Sequence, residues 1–312
     1  MRISVFGAIA FAGAAAACGK DPAPAAPAGG VSGSSPAGSS PAAGALPALK
    51  VALVEPGAEP RTALRYHAKA GEKASHEIAQ TQKDRSGDAG HLTVQNTTVS
   101  ADSEVLSVDP SGKATVRISL HDVRAEIVGM PNARNPLAGA RIRFGGRLSP
   151  LGRWTNGEIA LDGELGAAGA GAPLDAFAQA IGRMTIPLPP DPVGVGARWT
   201  AEGPVAVFGT TLPVTSTVTL ESVQDGVIVL HLTVAGVAKD LKLDMPPLVG
   251  DVVEISTEGE GRATISLAHV LPDAMDLATT ARSKMRIRNS PDAAPRDLEV
   301  SGTSEMRVRR KD

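Results

Sequence analysis

A mainly β fold is what the sequence predicts: antiparallel curved sheets or a half-open barrel, with one packed amphipathic helix. Three observations predict it. Short runs in which β-branched and polar residues alternate recur through the chain, and a period of two marks strands with one face on a core. Glycine and proline are plentiful, at 34 and 24 of 312 residues, which suits a turn-rich β protein better than a helical bundle. Hydrophobic residues make up 42% of the chain, enough for a packed core, so wholesale disorder is excluded. Aromatic residues are only 3%, so that core must be built from Val, Leu, Ile and Ala.

The first element is an address. In residues 1–17, Arg2 supplies a positive start and Ile3 to Ala17 form an apolar run ending in small side chains. A permanent membrane span needs about 20 residues, so the run reads as a secretory signal peptide. It stops at Cys18, the one cysteine of the chain, which excludes an intramolecular disulfide and any Cys-based zinc cluster. Ala15-Ala16-Ala17-Cys18 resembles a bacterial lipobox, with Ala15 where that pattern usually has leucine. The resemblance implies a lipoprotein precursor in which the Cys18 thiol carries diacylglyceryl (palmitate-type) chains and becomes the mature N-terminus. It implies export and a membrane anchor, and Gly19 after the cysteine implies the outer membrane, facing the periplasm or the cell surface. The same small residues also fit Ala-x-Ala cleavage, which would discard Cys18 with the leader.

Residues 18–48 form the second element. From Gly19 to Ala48 all but four residues are Ala, Gly, Ser or Pro, a composition that cannot offset its ordering entropy by burial. This is a tether with a coil reach of about 30 Å. The third element, residues 49–312, is the β-rich body. No later stretch holds 18 consecutive apolar residues, so no further helical span is expected.

Within the body, Thr93–Val99, Thr115–Leu120, Pro213–Leu220, Val227–Val234, Arg262–Val270 and Leu298–Val308 read as strands. Val227 to Leu230 is apolar on both faces, which predicts a strand covered on both sides. Asp109-Pro110-Ser111-Gly112, Gln224-Asp225-Gly226 and Leu271-Pro272-Asp273 supply turn chemistry between them. The helix opens at Pro173-Leu174-Asp175, and Leu174, Phe177, Ala178 and Ile181 share one face. Its stripe plugs the open face of a sheet or lids a ligand cavity, the plug being favoured. Pro187, Pro189, Pro190 and Pro192 then forbid helix and central strand. Asn135–Ile142 is a weaker helical candidate.

An internal duplication over about 62–130 and 190–290 is an even alternative to chance. Gly71-x-Lys73-x-x-x-Glu77 has the spacing of Gly196-x-Arg198-x-x-x-Glu202, and the turn at Gly112 echoes the turn at Gly226. Pro192-Val193-Gly194-Val195-Gly196-Ala197-Arg198-Trp199, with Leu64-x-Tyr66 upstream, resembles a phrase of uncharacterised β-rich envelope lipoproteins. That resemblance spans about a tenth of the chain and implies a fold, not an activity.

Catalytic patterns are sparse. His67, His76, His91, His121, His231 and His269 form neither H-x-H nor H-x-x-x-H, so no metal is expected. His121-Asp122 is the nearest orienting pair, and His231 and His269 lie in strand-like runs. The G-x-S-x-G elbow is absent, Ser149 in Gly146–Pro150 being the nearest stretch. Asp273 with Asp276, and Glu258 with Glu260, are spaced for acid–base work but read as surface carboxylates. The Gly163–Gly171 stretch lacks a phosphate-binding pattern and reads as a loop. No cofactor is expected. A formal charge of −2 gives no nucleic-acid footprint. Arg282–Asp312 is the basic part, with nine Lys/Arg against five Asp/Glu. Arg307-Val308-Arg309 reads there as a charged strand edge in preference to an anionic-lipid contact.

The expectation is therefore an exported, membrane-anchored protein without enzymatic activity. It would bind a hydrophobic, lipid-like ligand or an envelope partner, and would touch the membrane through its N-terminal lipid. The alternatives are a structural or assembly protein without ligand and a hydrolase with a non-standard site.

Overall fold

In a computed structural model of the chain, residues 49–86, 91–129, 139, 141–162, 180–207, 210–245, 248–288 and 294–311 are described. The signal, Cys18, the tether and the Gly163–Gly171 loop lie outside them, as does most of the predicted helix. The twelve strands are β1 (Lys50–Glu55), β2 (Lys73–Ser86), β3 (His91–Val108), β4 (Ala114–Ile127), β5 (Arg141–Leu148), β6 (Trp154–Asp162), β7 (Arg198–Val207), β8 (Thr210–Gln224), β9 (Val227–Met245), β10 (Leu248–Ser266), β11 (Ala274–Arg288) and β12 (Arg296–Lys311).

They form one antiparallel sheet in the order β1-β7-β8-β9-β10-β11-β12-β2-β3-β4-β5-β6, which is curved and not closed into a barrel. The half-open barrel expected from the alternating runs is what forms. Two meanders, β7 to β12 and β2 to β6, meet where β12 pairs with β2. Gly71 and Gly196, both with φ near +84°, stand just ahead of β2 and β7. Gly112 and Gly226, at +78° and +76°, precede β4 and β9. Between β8 and β9, Asp225 and Gly226 both have positive φ, the two-residue hairpin geometry whose twist matches the flanking strands.

Several sequence expectations are corrected here. Among the described residues helix is confined to residues 180–184, which include Ile181 of the predicted helix, while Leu174, Phe177 and Ala178 lie outside them. Arg141 and Ile142, the end of the weaker helical candidate, open β5, because Ile142 and Phe144 share a buried face at strand spacing. β10 stops at Ser266, so His269 and Val270 sit in the loop before β11. β12 is no edge. It is hydrogen-bonded to β11 on one side and β2 on the other, and Arg309 pairs with Asp276 across the ladder at 2.7 Å. Its charges neutralise neighbouring strands. On β9, Ile228 and Leu230 are fully buried while Val227 and Val229 are half-buried.

What fills the concave side is mostly extended chain. Residues 185–189 run through the interior, and Ile186, Leu188 and Val193 are buried with Ile181 and Met184. A buried backbone without a ladder must find partners elsewhere. The Tyr66 hydroxyl donates to the Ile186 carbonyl at 3.0 Å, and Trp199 Nε1 donates to the Pro187 carbonyl at 2.9 Å. Thr185 Oγ1 donates to the Val270 carbonyl at 3.1 Å, and the Leu188 amide donates to the Leu151 carbonyl at 2.9 Å. The Pro192–Trp199 phrase serves the same end of the molecule. Its Val193 bridges to Thr62, and the Gly194 amide donates to the Pro56 carbonyl. A side chain on Gly194 would begin 1.6 Å from the Ala58 carbonyl oxygen, so the crossing of these two segments requires glycine.

Candidate functional site

The alternation of each strand, multiplied across the sheet by register, decides what faces the concave interior. Two apolar groups result. One contains Val218, Leu220, Leu230, Ile265 and Val308 with the interior segment. The other contains Leu212, Ile255, Met285, Ile287 and Val300. Between them the pairing aligns a belt of polar side chains. Ser216, Val234, Gly259, Thr279, Ser304 and Gln82 lie in one cross-strand row. Thr257, Ala281, Gly302 and Asp84 lie in the next, and Ser283 follows beside Ile255.

Part of the belt is satisfied internally. Gln82 Nε2 donates to both Asp84 carboxylate oxygens at 2.8 and 3.0 Å, and Gln80 donates to Ser304 at 3.0 Å. Burial pushes the Asp84 carboxyl above the usual carboxylate range, and the Gln82 amide offsets part of that. The hydroxyls of Thr257 and Ser283 are buried with no hydrogen-bond partner among the described residues. Such orphans are uncommon and ask for an explanation, because an unpaired buried hydroxyl costs about 1–3 kcal/mol.

Thr257 faces a cavity of about 140 Å³. Its floor is the concave face of β7 to β12, with Val205, Val218, Leu232, Met275, Leu277 and Met306. Its roof is the segment from Ala180 to Pro187, and Leu49 closes one side. The apolar lining carries few polar atoms: Ser216, Thr257, Thr279 and Thr185, and one cation, Arg183. Arg183 Nη2 donates to the Pro204 carbonyl at 2.7 Å, and no carboxylate pairs with it among the described residues. Burial lowers its pKa.

The titratable residues singled out by sequence fall elsewhere. His121 and Asp122 are hydrogen-bonded at 2.9 Å, and Asp102 Oδ2 lies 2.9 Å from the other ring nitrogen. The Asp122 bond leads in raising the His121 pKa. Ser75 donates to Asp102 at 2.7 Å. The order is Ser–Asp–His, with the carboxylate in the middle, so the imidazole cannot take the serine proton as a general base would. His231 pairs with Glu260 on the exposed face of β10, where Glu258 also lies. Asp273 bonds His269 at 2.7 Å while Asp276 bonds Arg309, so the two carboxylates serve separate partners. Ser149 Oγ accepts from the Arg153 amide inside a turn. His67 is exposed. No group of three metal-ligating side chains occurs among the described residues.

His76 stands apart. It is fully buried on β2, with neither ring nitrogen partnered. Desolvation pulls its pKa down to about 4, the Asp273 charge opposing and Arg310 and His269 adding to the fall. Sequence reasoning passed over His76, Gln80, Gln82 and Asp84 as inward groups because the opposite face of β2 is polar too, which erases the alternation. Arg183 and Thr257 carried no local signal at all, since only register and chain crossing bring them to one cavity. No family model and no curated protein matches the chain.

Proposed function

We propose that the chain is an exported lipoprotein, anchored to the outer membrane through Cys18, whose half-open barrel binds a hydrophobic, lipid-like ligand without catalysing a reaction on it. The observation that carries the binding reading is the apolar cavity between residues 180–187 and the sheet, with the Thr257 hydroxyl buried and unpartnered in its wall. An unfilled polar atom in an otherwise apolar pocket is what a ligand with one hydrogen-bonding group would complete. The anchor rests on the apolar run ending at Cys18 and on the tether that follows it.

Size narrows the ligand. Pockets for whole drug-sized molecules are about 300–1,000 Å³, and this one is about 140 Å³. It has room for a segment of one chain rather than for a two-chain lipid. The same number favours a second reading, a structural or assembly protein in which the interior segment is simply an imperfect filling. Native mass spectrometry of the protein extracted from membranes, with Cys18→Ala as control, separates the two. Copurifying small amphiphile and loss of membrane fractionation in the variant are the expected results. Ligand-free protein supports the assembly reading, and a membrane-bound Cys18→Ala protein overturns the anchor.

A further inference from the structure

We propose that the cavity is a carboxylate site: it takes one end of a single-chain fatty acid, with the acyl segment among Val218, Leu232 and Met275 and the carboxylate on Arg183. This rests on the hydrophobic-ligand reading and names the ligand's chemistry. Arg183 is the cation of the cavity lining, half-buried at the end of the short helix. A guanidinium carries five N–H donors in a planar fork. One Arg183 nitrogen is bound to the Pro204 carbonyl, and no acidic side chain answers the charge among the described residues. Several arginines of the sheet are answered by acids, Arg117 by Glu104, Arg198 by Glu55, Arg262 by Glu221 and Arg309 by Asp276, whereas among the described residues Arg183 alone of the cations lines the cavity.

An unanswered cation beside an apolar hole is costly unless an anion completes it. A carboxylate meets the guanidinium fork with two parallel hydrogen bonds, which a hydroxyl or an ammonium cannot do. The volume selects the rest of the molecule. A protein cavity of about 150 Å³ encloses benzene, so about six to eight carbons fit inside here and a longer chain must continue outward. Phospholipids, with two chains, exceed that space. Thr257, 3% exposed and unpartnered, adds a hydrogen-bonding point in the wall.

Calorimetric titration of the full chain with octanoate, octanol and trimethyloctylammonium tests this, because the three share a chain and differ in head group. Octanoate is expected to bind at least about tenfold more tightly than octanol, and trimethyloctylammonium more weakly than both. In Arg183→Met the octanoate preference should vanish while octanol affinity stays within about twofold, a change confined to the head group. Leu232→Trp, which fills the hole, should abolish binding of both. Equal octanoate and octanol affinities in the unaltered protein overturn the carboxylate assignment and leave the cavity reading standing. Binding of none of the three overturns both. The wild-type ranking needs no variant, so it decides even where Arg183→Met fails to fold.

Discussion

His76 shows how a single buried side chain sets the response of the molecule to acid. An imidazole with a pKa near 6.5 in the unfolded chain and about 4 in the folded one binds its proton more weakly after folding. Stability is therefore fully present above about pH 6.5 and falls as pH drops toward 4, by up to about 3 kcal/mol. His121, clamped by Asp122 and Asp102, has the opposite sign: its raised pKa contributes stability at low pH that is lost as pH rises through the folded value. Urea denaturation at pH 7.5 and 4.5 should show a marked loss for the wild type and a smaller one for His76→Leu. An unchanged loss in that variant would remove His76 as the cause. None of this was legible beforehand, because a histidine in a polar strand carries no mark of which face it takes.

At the scale of the element, the interior segment and the strands teach different lessons. Turn residues such as Asp225-Gly226 announce their hairpin locally, and so β8 and β9 can be drawn from the sequence. The lengths could not be, since Thr93–Val99 becomes an 18-residue strand only because neighbouring ladders carry polar residues along with it. The run of prolines excludes regular structure after the short helix, yet nothing in it foretells a path through the core. That path depends on Tyr66, Trp199 and the crossing at Gly194, all distant in sequence. Tyr66→Phe should leave the Ile186 carbonyl without its donor and cost about 1–3 kcal/mol. Thermal or urea unfolding would register that loss. A neutral result would mean that the segment is held by packing alone.

For the whole molecule, the fold class was readable and the topology was not. Alternating runs reveal strands but say nothing of which pair, and the placement of the last strand is the instructive case. Arg307-Val308-Arg309 looks like an exposed border, whereas β12 lies in the middle of the sheet, its charges facing acids on β11 and β2. Deleting residues 296–311 should therefore split the sheet, yielding aggregated protein rather than a shortened monomer. Size-exclusion chromatography would show it, and a soluble monomer with intact β-sheet circular dichroism would count against the pairing.

The seam between β12 and β2 also imposes a timetable. If the chain is exported N-terminus first, β2 emerges early and β12 late, with β3 to β11 between them. Until the final residues emerge, one long side of β2 has no partner, and a pairing so distant in sequence forms slowly. Unpaired borders recruit other chains unless inward polar groups discourage them. His76, Gln80, Gln82 and Asp84 stand along the face of β2 that will later be buried. In an exported chain, the belt that lines the finished interior would also guard that unfinished edge.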